Sequence, residues 1–295
     1  MKRMSFQARY RMIGYQFLIP TFLVLLLVVA MPLLFSLVLS MFRYTFLSPR
    51  LNEFVGFSNY ASVVHDQYFW NSVKVTFLFV LMVVPLEFFI GYGIALMLSR
   101  PEIRFKSIFY FILTIPMVMS PVAVGLIWRM LLHPELGVVN YLLGKLGFGY
   151  VNWFGDERLA LFTVTLVDVW QQVSFMVLLL LSGITSLPKE PFESATIDGA
   201  NWLQTLLFVK TPLLMPIITV ALLQRVITSF KTYDLVYILT SGGPGVSTDL
   251  ISYNIYRTTF MGLDLSVASA VSYMLLIVIL AITVVIFRST MKGNE

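Results

Sequence analysis

The chain has 295 residues, 58% of them hydrophobic and 12% charged, against roughly 25% charged in soluble domains. That composition excludes a soluble globular protein. The formal charge of +5 is dispersed along the chain, which argues against a nucleic-acid-binding face. Cysteine is absent and His65 and His133 stand far apart, so no disulfide or cysteine- or histidine-based metal site is expected.

A helix needs roughly 20 apolar residues to cross the hydrocarbon. Six stretches qualify, at about 15–42, 71–98, 107–132, 159–182, 209–237 and 264–287. The fold expected is an all-α polytopic membrane protein, one transmembrane domain over 1–295 with six transmembrane helices. The first run is too long for a signal-peptide core and lacks a small-residue cleavage site. Beyond it, residues 43–70 are polar and aromatic. Phe57-Ser58-Asn59-Tyr60 predicts the start of a short surface helix, and Phe42, Tyr44, Phe46, Tyr68, Phe69 and Trp70 fit interfacial anchors. Glu87 is a lone carboxylate near mid-depth of the second span. Ser99-Arg100-Pro101-Glu102 closes that span, and His133-Pro134-Glu135-Leu136-Gly137 closes the third. The glycine-rich loop 133–158 that follows is expected to pack over the external mouth.

The fourth span places Asp168, Trp170, Gln171, Gln172 and Ser174 close to its middle. A central charge costs at least ~2.5 kcal/mol in a bilayer, so such groups must face protein or water. Amides and carboxylates bond hydroxyls and rings stack on apolar sugar faces, which suits a polyhydroxylated solute. The competing role is to tie helices together. Asp168, Gln171 and Gln172 share one helical face, while Trp170 is turned away from Asp168 by about 200°. In the fifth span Arg225 lies near mid-depth and must pair or reach water. Asp168 and Glu87 are its candidate partners. Arg225 and Ser229 share a face, and Lys231 and Asp234, three apart, are expected to neutralise each other. The candidate substrate pathway is therefore Asp168, Trp170, Gln171, Gln172, Arg225, Ser229 and Tyr233. Ser266, Ser269, Ser272 and Tyr273 form a polar stripe in the sixth span that serves either close helix packing or solute contact.

Between the fourth and fifth spans, residues 193–216 read ESATIDGANWLQTLLFVKTPLLMP, a polar helix-forming stretch leading into apolar sequence. Leu187-Pro188-Lys189-Glu190-Pro191 starts a new element, with proline and acidic residues suited to a first helical turn. Phe192 to Ile197 predicts a short helix carrying Glu193. Asp198-Gly199 breaks it, because glycine permits the positive φ of a sharp turn. Ala200-Asn201-Trp202-Leu203 restarts a helix, and Pro212 and Pro216 fall inside the fifth span. Lys and Arg set the orientation. One side holds eleven (Lys2, Arg3, Arg9, Arg11, Arg100, Arg104, Lys106, Lys189, Lys210, Arg288, Lys292) and the other five (Arg43, Arg50, Lys145, Arg158, Arg257). The richer side is expected to be cytoplasmic, with both termini and the 193–216 loop.

Glu193, Ala195, Asp198, Gly199, Ala200, Pro212 and Pro216 match the spacing of the EAA motif, and the chain resembles the permeases of ABC importers. Ser194 stands for the middle alanine, and Thr211 for the usual leucine before the proline. Phe230-Lys231-Thr232-Tyr233-Asp234, Leu239-Thr240-Ser241-Gly242-Gly243-Pro244-Gly245 and Ser252-Tyr253-Asn254-Ile255-Tyr256-Arg257 narrow the resemblance to carbohydrate permeases of the maltose and glycerol-3-phosphate type. Taken as loops alone, the glycines and proline at 242–245 are a turn. The resemblance implies that the loop, about 186–208, holds a cytoplasmic coupling helix docking on an ATPase through Glu193, Ala195, Asp198, Gly199, Ala200 and Trp202. It also implies a second permease subunit, a dimeric ATPase and an external solute-binding protein as partners. ATP and Mg would be bound by the ATPase and no cofactor by this chain, which has no G-x-x-x-x-G-K-[ST] sequence: Val139 stands where Gly144-Lys145 needs a glycine. The solute implied is a sugar or related polyol. A proton- or ion-coupled secondary carrier is the alternative, motivated by Glu87. A membrane enzyme is disfavoured, since no serine–histidine–carboxylate set is visible.

Overall fold

The structure is a computed structural model that describes residues 6–49 and 53–291. Lys2, Arg3, Arg50 and Lys292, counted in the orientation argument, lie outside the described residues. In hydrocarbon every backbone N–H and C=O must be satisfied within the segment, which selects helices. Accordingly α1 (Phe6–Leu25), a π-helical turn (Leu26–Ala30) and α2 (Met31–Ser40) run continuously. They are followed by α3 (Ser58–His65), α4 (Gln67–Leu98), α5 (Lys106–Val118), α6 (Pro121–Leu131), α7 (Val138–Lys145) and α8 (Glu157–Thr185). Next come α9 (Glu190–Ile197), α10 (Trp202–Gln204), a second π-helical turn (Thr205–Lys210), α11 (Thr211–Phe230), α12 (Asp234–Leu239), α13 (Ile251–Tyr256), a third π-helical turn (Arg257–Met261) and α14 (Leu265–Met291).

Among the described residues, five helical stretches are long and apolar enough to cross a membrane: Gln16–Ser40, Gln67–Leu98, Glu157–Thr185, Trp202–Phe230 and Leu265–Arg288. The stretch expected at 107–132 is instead a bent pair, α5 and α6, meeting at 98°. Pro121 explains the break. The residue before a proline is pushed out of the helical region, and Ser120 is extended at φ −60°, ψ 135°. The fifth span also ends sooner than expected, at Phe230 instead of 237, with α12 a separate helix.

Two of the π-helical turns have a common cause. Pro32 and Pro212 lack the N–H that the carbonyl four residues back requires. In each case the residue just before the proline donates five residues back, Met31 N–H to Leu26 O and Thr211 N–H to Leu206 O. The Thr211 hydroxyl adds a second bond to Leu206 O at 2.8 Å. The helix thus continues past each proline.

The chain divides into two compact units, Met1–Asp66 with Ile255–Met274, and Gln67–Asn254 with Leu275–Glu295. In the first, α3 is fastened to the end of α2. Asn59 Nδ2 donates to Ser40 O at 2.8 Å and to Phe42 O at 2.9 Å, and the hydroxyls of Ser40 and Tyr60 bond at 2.7 Å. The serine stripe works as packing here: Ser266 Oγ accepts from Tyr44 N–H at 2.8 Å, Ser272 bonds Ala268 O, and Tyr273 donates to Leu33 O.

In the second unit α8 is the central helix, with 61% of its apolar window buried against 33% for α4 and 22% for the span ending in α11. Its start is fixed by Asp156, whose Oδ1 accepts from Arg158 N–H at 2.8 Å and Leu159 N–H at 3.1 Å. Small residues let neighbouring helices close in on it. A Cβ on Gly91 of α4 would lie 2.7 Å from Met176 Cγ, and one on Gly183 would lie 2.7 Å from Ile217 Cδ1. The glycine–proline loop is a structural brace. Asn71 Nδ2 donates to Val246 O at 2.9 Å, Ser72 Oγ to Asp249 Oδ2 at 3.0 Å, and Ile251 N–H to Thr76 Oγ1 at 2.8 Å. Three residues at the start of α4 therefore hold the loop.

Gly91→Leu should overpack the α4–α8 contact and cost about 1–3 kcal/mol, read as a lower Tm of the purified protein. Gly93→Ala, whose added Cβ meets nothing within 4 Å, should leave Tm unchanged within error.

Candidate functional site

Arg225 of α11 carries the central charge of the molecule's interior. Its Nε donates to Glu87 Oε2 of α4, its Nη2 to Asp168 Oδ2 of α8, and its Nη1 to Thr228 Oγ1 at 3.2 Å. All three side chains are buried, Glu87 fully. Both partners expected from the sequence are found, and they are held at once. One guanidinium therefore ties three helices together. Its three nitrogens are each committed to a protein acceptor, so Arg225 is an internal counter-charge.

A cavity of about 230 Å³ opens beside this cluster. Asp168, Gln171, Gln172, Arg225 and Tyr233 line it, as do Pro121, Thr228, Lys231, Thr232, Asp234 and Leu235. Two of the expected pathway residues are elsewhere. Trp170 is turned away, as the helical angle required, and meets Trp128 edge-on at 5.5 Å. Ser229 bonds Arg225 O at 2.8 Å within its own helix. Gln171 serves two settings. Its amide donates to Met119 O at 3.0 Å, satisfying a carbonyl freed at the α5–α6 break, while it also borders the cavity. Tyr233 stacks against Tyr237 at 5.6 Å and Tyr253 at 6.3 Å.

Lys231 and Asp234 do not neutralise each other. No ion pair joins these two side chains, in contrast to Arg43–Glu53, Arg225–Glu87 and Arg225–Asp168. The i, i+3 expectation assumed an unbroken helix, whereas α11 ends at Phe230 and α12 begins at Asp234. Both charged groups instead border the cavity. Thr228, Thr232 and Pro121 were not anticipated there. Thr228 and Thr232 continue the helical face of Arg225 at three- and four-residue steps, a signal present in the sequence.

The loop between the fourth and fifth spans forms the helix–turn–helix the sequence suggests. α9 ends in a reciprocal two-bond cap: Ala200 N–H donates to Ala195 O at 2.9 Å and Gly199 N–H to Thr196 O at 3.1 Å. Gly199 has φ +77°, the left-handed conformation that the cap demands. Asn201 and Gln204 then form a capping box, each side chain bonding the other's backbone N–H, at 2.9 and 2.8 Å. Glu193, Asp198, Gly199 and Trp202 are exposed, Ala200 is partly so, and Ala195 is buried and packs the turn. Ile197, which residue type alone did not single out, is 86% exposed, and Trp202 is 62% exposed.

Arg225→Met should leave Glu87 and Asp168 buried without a partner, lowering stability by about 3–5 kcal/mol. The triple replacement E87Q/D168N/R225M should recover most of that loss. Thermal unfolding of the purified variants distinguishes the two.

Residues 87–292 match the family described as binding-protein-dependent transport system inner membrane component. The chain is 34% identical over 278 residues to the sulfoquinovosyl glycerol transport system permease protein of Agrobacterium fabrum, covering 94% of this chain and 90% of that one. It is 32% identical over 276 residues to the trehalose/maltose transport system permease protein of Thermococcus litoralis, covering 94% and 92%. In fold it is similar to a chain of a bacterial ABC transporter involved in the import of the acidic polysaccharide alginate, with TM-score 0.85 over 98% of each chain at 21% identity. With more than two thirds of its length matched and the doubly capped turn falling inside the match, the chain belongs to the binding-protein-dependent transport system inner membrane components, the permease subunits of ABC importers.

Proposed function

We propose that this permease carries a sugar or related polyol and is driven by a separate ATPase that docks on α9 and α10. The observation that carries the coupling role is the rigid turn at Gly199, which holds Ile197 and Trp202 outward between two membrane-spanning helices. On this reading 1–295 works as one transmembrane domain whose loop at about 186–208, with both termini, faces the cytoplasm, as the excess of Lys and Arg on that side supports. The partners are a second permease subunit, a dimeric ATPase that binds ATP and Mg, and an external solute-binding protein. This chain itself requires no cofactor.

The cavity beside Arg225 is the part of the solute pathway that this chain contributes. Its lining includes the hydroxyls of Thr228 and Thr232, the Gln172 amide, the Tyr233 ring and the opposite charges Lys231 and Asp234. These are donors and acceptors for hydroxyls, next to a ring that can cover an apolar sugar face. Trp170 and Ser229 lie off this path and serve packing. The proton-driven alternative loses its motive, because Glu87 is bound to Arg225.

Ile197→Asp should put a charge into the ATPase contact and reduce solute-stimulated ATP hydrolysis by the reconstituted transporter by roughly tenfold or more, as truncating an interface anchor does, with unchanged membrane insertion. Stimulated hydrolysis at the parent rate would count against the docking role. Gln172→Ala should weaken uptake of the transported sugar while leaving basal ATP hydrolysis intact; equal uptake would remove the cavity from the pathway.

A further inference from the structure

We infer that residues 136–155, centred on α7, lie in the lipid headgroup region as an interfacial anchor. Its amphipathicity is inverted relative to a loop in water. Asn140, its polar centre, is buried at 1%, with Nδ2 donating to Pro134 O and Val151 O, both at 2.8 Å, and Oδ1 accepting from Trp153 Nε1 at 2.9 Å. The apolar side chains point outward instead: Leu136 is 84% exposed and Tyr150 82%, with Tyr141, Leu142, Leu146 and Phe148 also exposed. A polypeptide in water buries leucine and exposes asparagine. The reverse arrangement fits a medium that accepts apolar surface and offers few hydrogen bonds.

Charge and position identify that medium as lipid. Residues 136–155 contain no carboxylate and one cation, Lys145, which sits 4.6 Å from the Tyr141 ring centroid. A tyrosine body beside a lysine that reaches toward phosphate is the chemistry of the membrane–water boundary. The segment also leaves α6, which turns Leu126 and Met130 outward, and enters α8 at Glu157. At about 1.5 Å per residue, α8 exceeds the ~30 Å hydrocarbon core, which places its ends at headgroup level.

The chain has no cysteine, so Leu146→Cys, Tyr150→Cys and Glu135→Cys each give one labelling site. The assembled transporter, reconstituted in liposomes containing phosphatidylglycerol, is labelled with bimane at each position. Lipids carrying a nitroxide near the headgroup should quench the labels at 146 and 150, and aqueous iodide should quench the label at 135 far more than those two. Iodide quenching that is equal at all three positions would overturn the proposal. So would absence of nitroxide quenching at 146 and 150, including the case where both quenchers fail because a second permease or a solute-binding protein covers the segment. These readouts need neither uptake nor ATP hydrolysis, so the test is independent of the solute and of ATPase coupling.

Discussion

A guanidinium inside a membrane protein has no bulk water to solvate it, and in this chain two carboxylates from two other helices take that role. Burying the three charges costs several kcal/mol each. The arrangement persists because each nitrogen of Arg225 donates to a protein acceptor, Glu87, Asp168 or Thr228. The consequence is geometric. α4, α8 and α11 cannot shift far past one another without separating charges in a medium of low dielectric. The packing of the second unit respects the same constraint: Gly91 and Gly183 bring α4 and α11 close against α8, which is what a short charge cluster between three helices requires.

The same scarcity of hydrogen-bonding partners explains the irregular backbone. Prolines at 32 and 212 each remove a donor, and a π-helical turn leads up to each of them. Pro121 breaks its helix instead, and Gln171 supplies an amide to Met119 O at that break. The break and the charge cluster border one cavity, which is bounded by two irregular features of the second unit. The cavity is therefore a product of how polar groups are satisfied, with no separate site grafted onto the bundle.

Much of this was legible in the sequence because membranes enforce simple rules. Five spans followed from apolar length, the partners of Arg225 from depth and sign, and the turn at Gly199 from a glycine after a short polar helix. The rest depended on tertiary geometry. An uninterrupted apolar run at 107–132 hid the 98° bend, although Pro121 was in plain sight, because prolines are also tolerated inside spans. Lys231 and Asp234 looked like a pair until the helix proved to end between them. Ile197 looked like an ordinary apolar residue, since outward exposure on a capped turn cannot be read from residue type.

The charge cluster and the turn at Gly199 belong to one proposal: a bundle, held by Arg225, that an ATPase would move through a rigid projecting element. The most direct test is cysteine cross-linking from Ile197→Cys in the otherwise cysteine-free chain, in membranes that contain the whole transporter. The account predicts a cross-link to the ATPase subunit whose yield changes when ATP is added. Labelling of that cysteine by a membrane-impermeant reagent applied from outside, or a cross-link to the solute-binding protein, would contradict it.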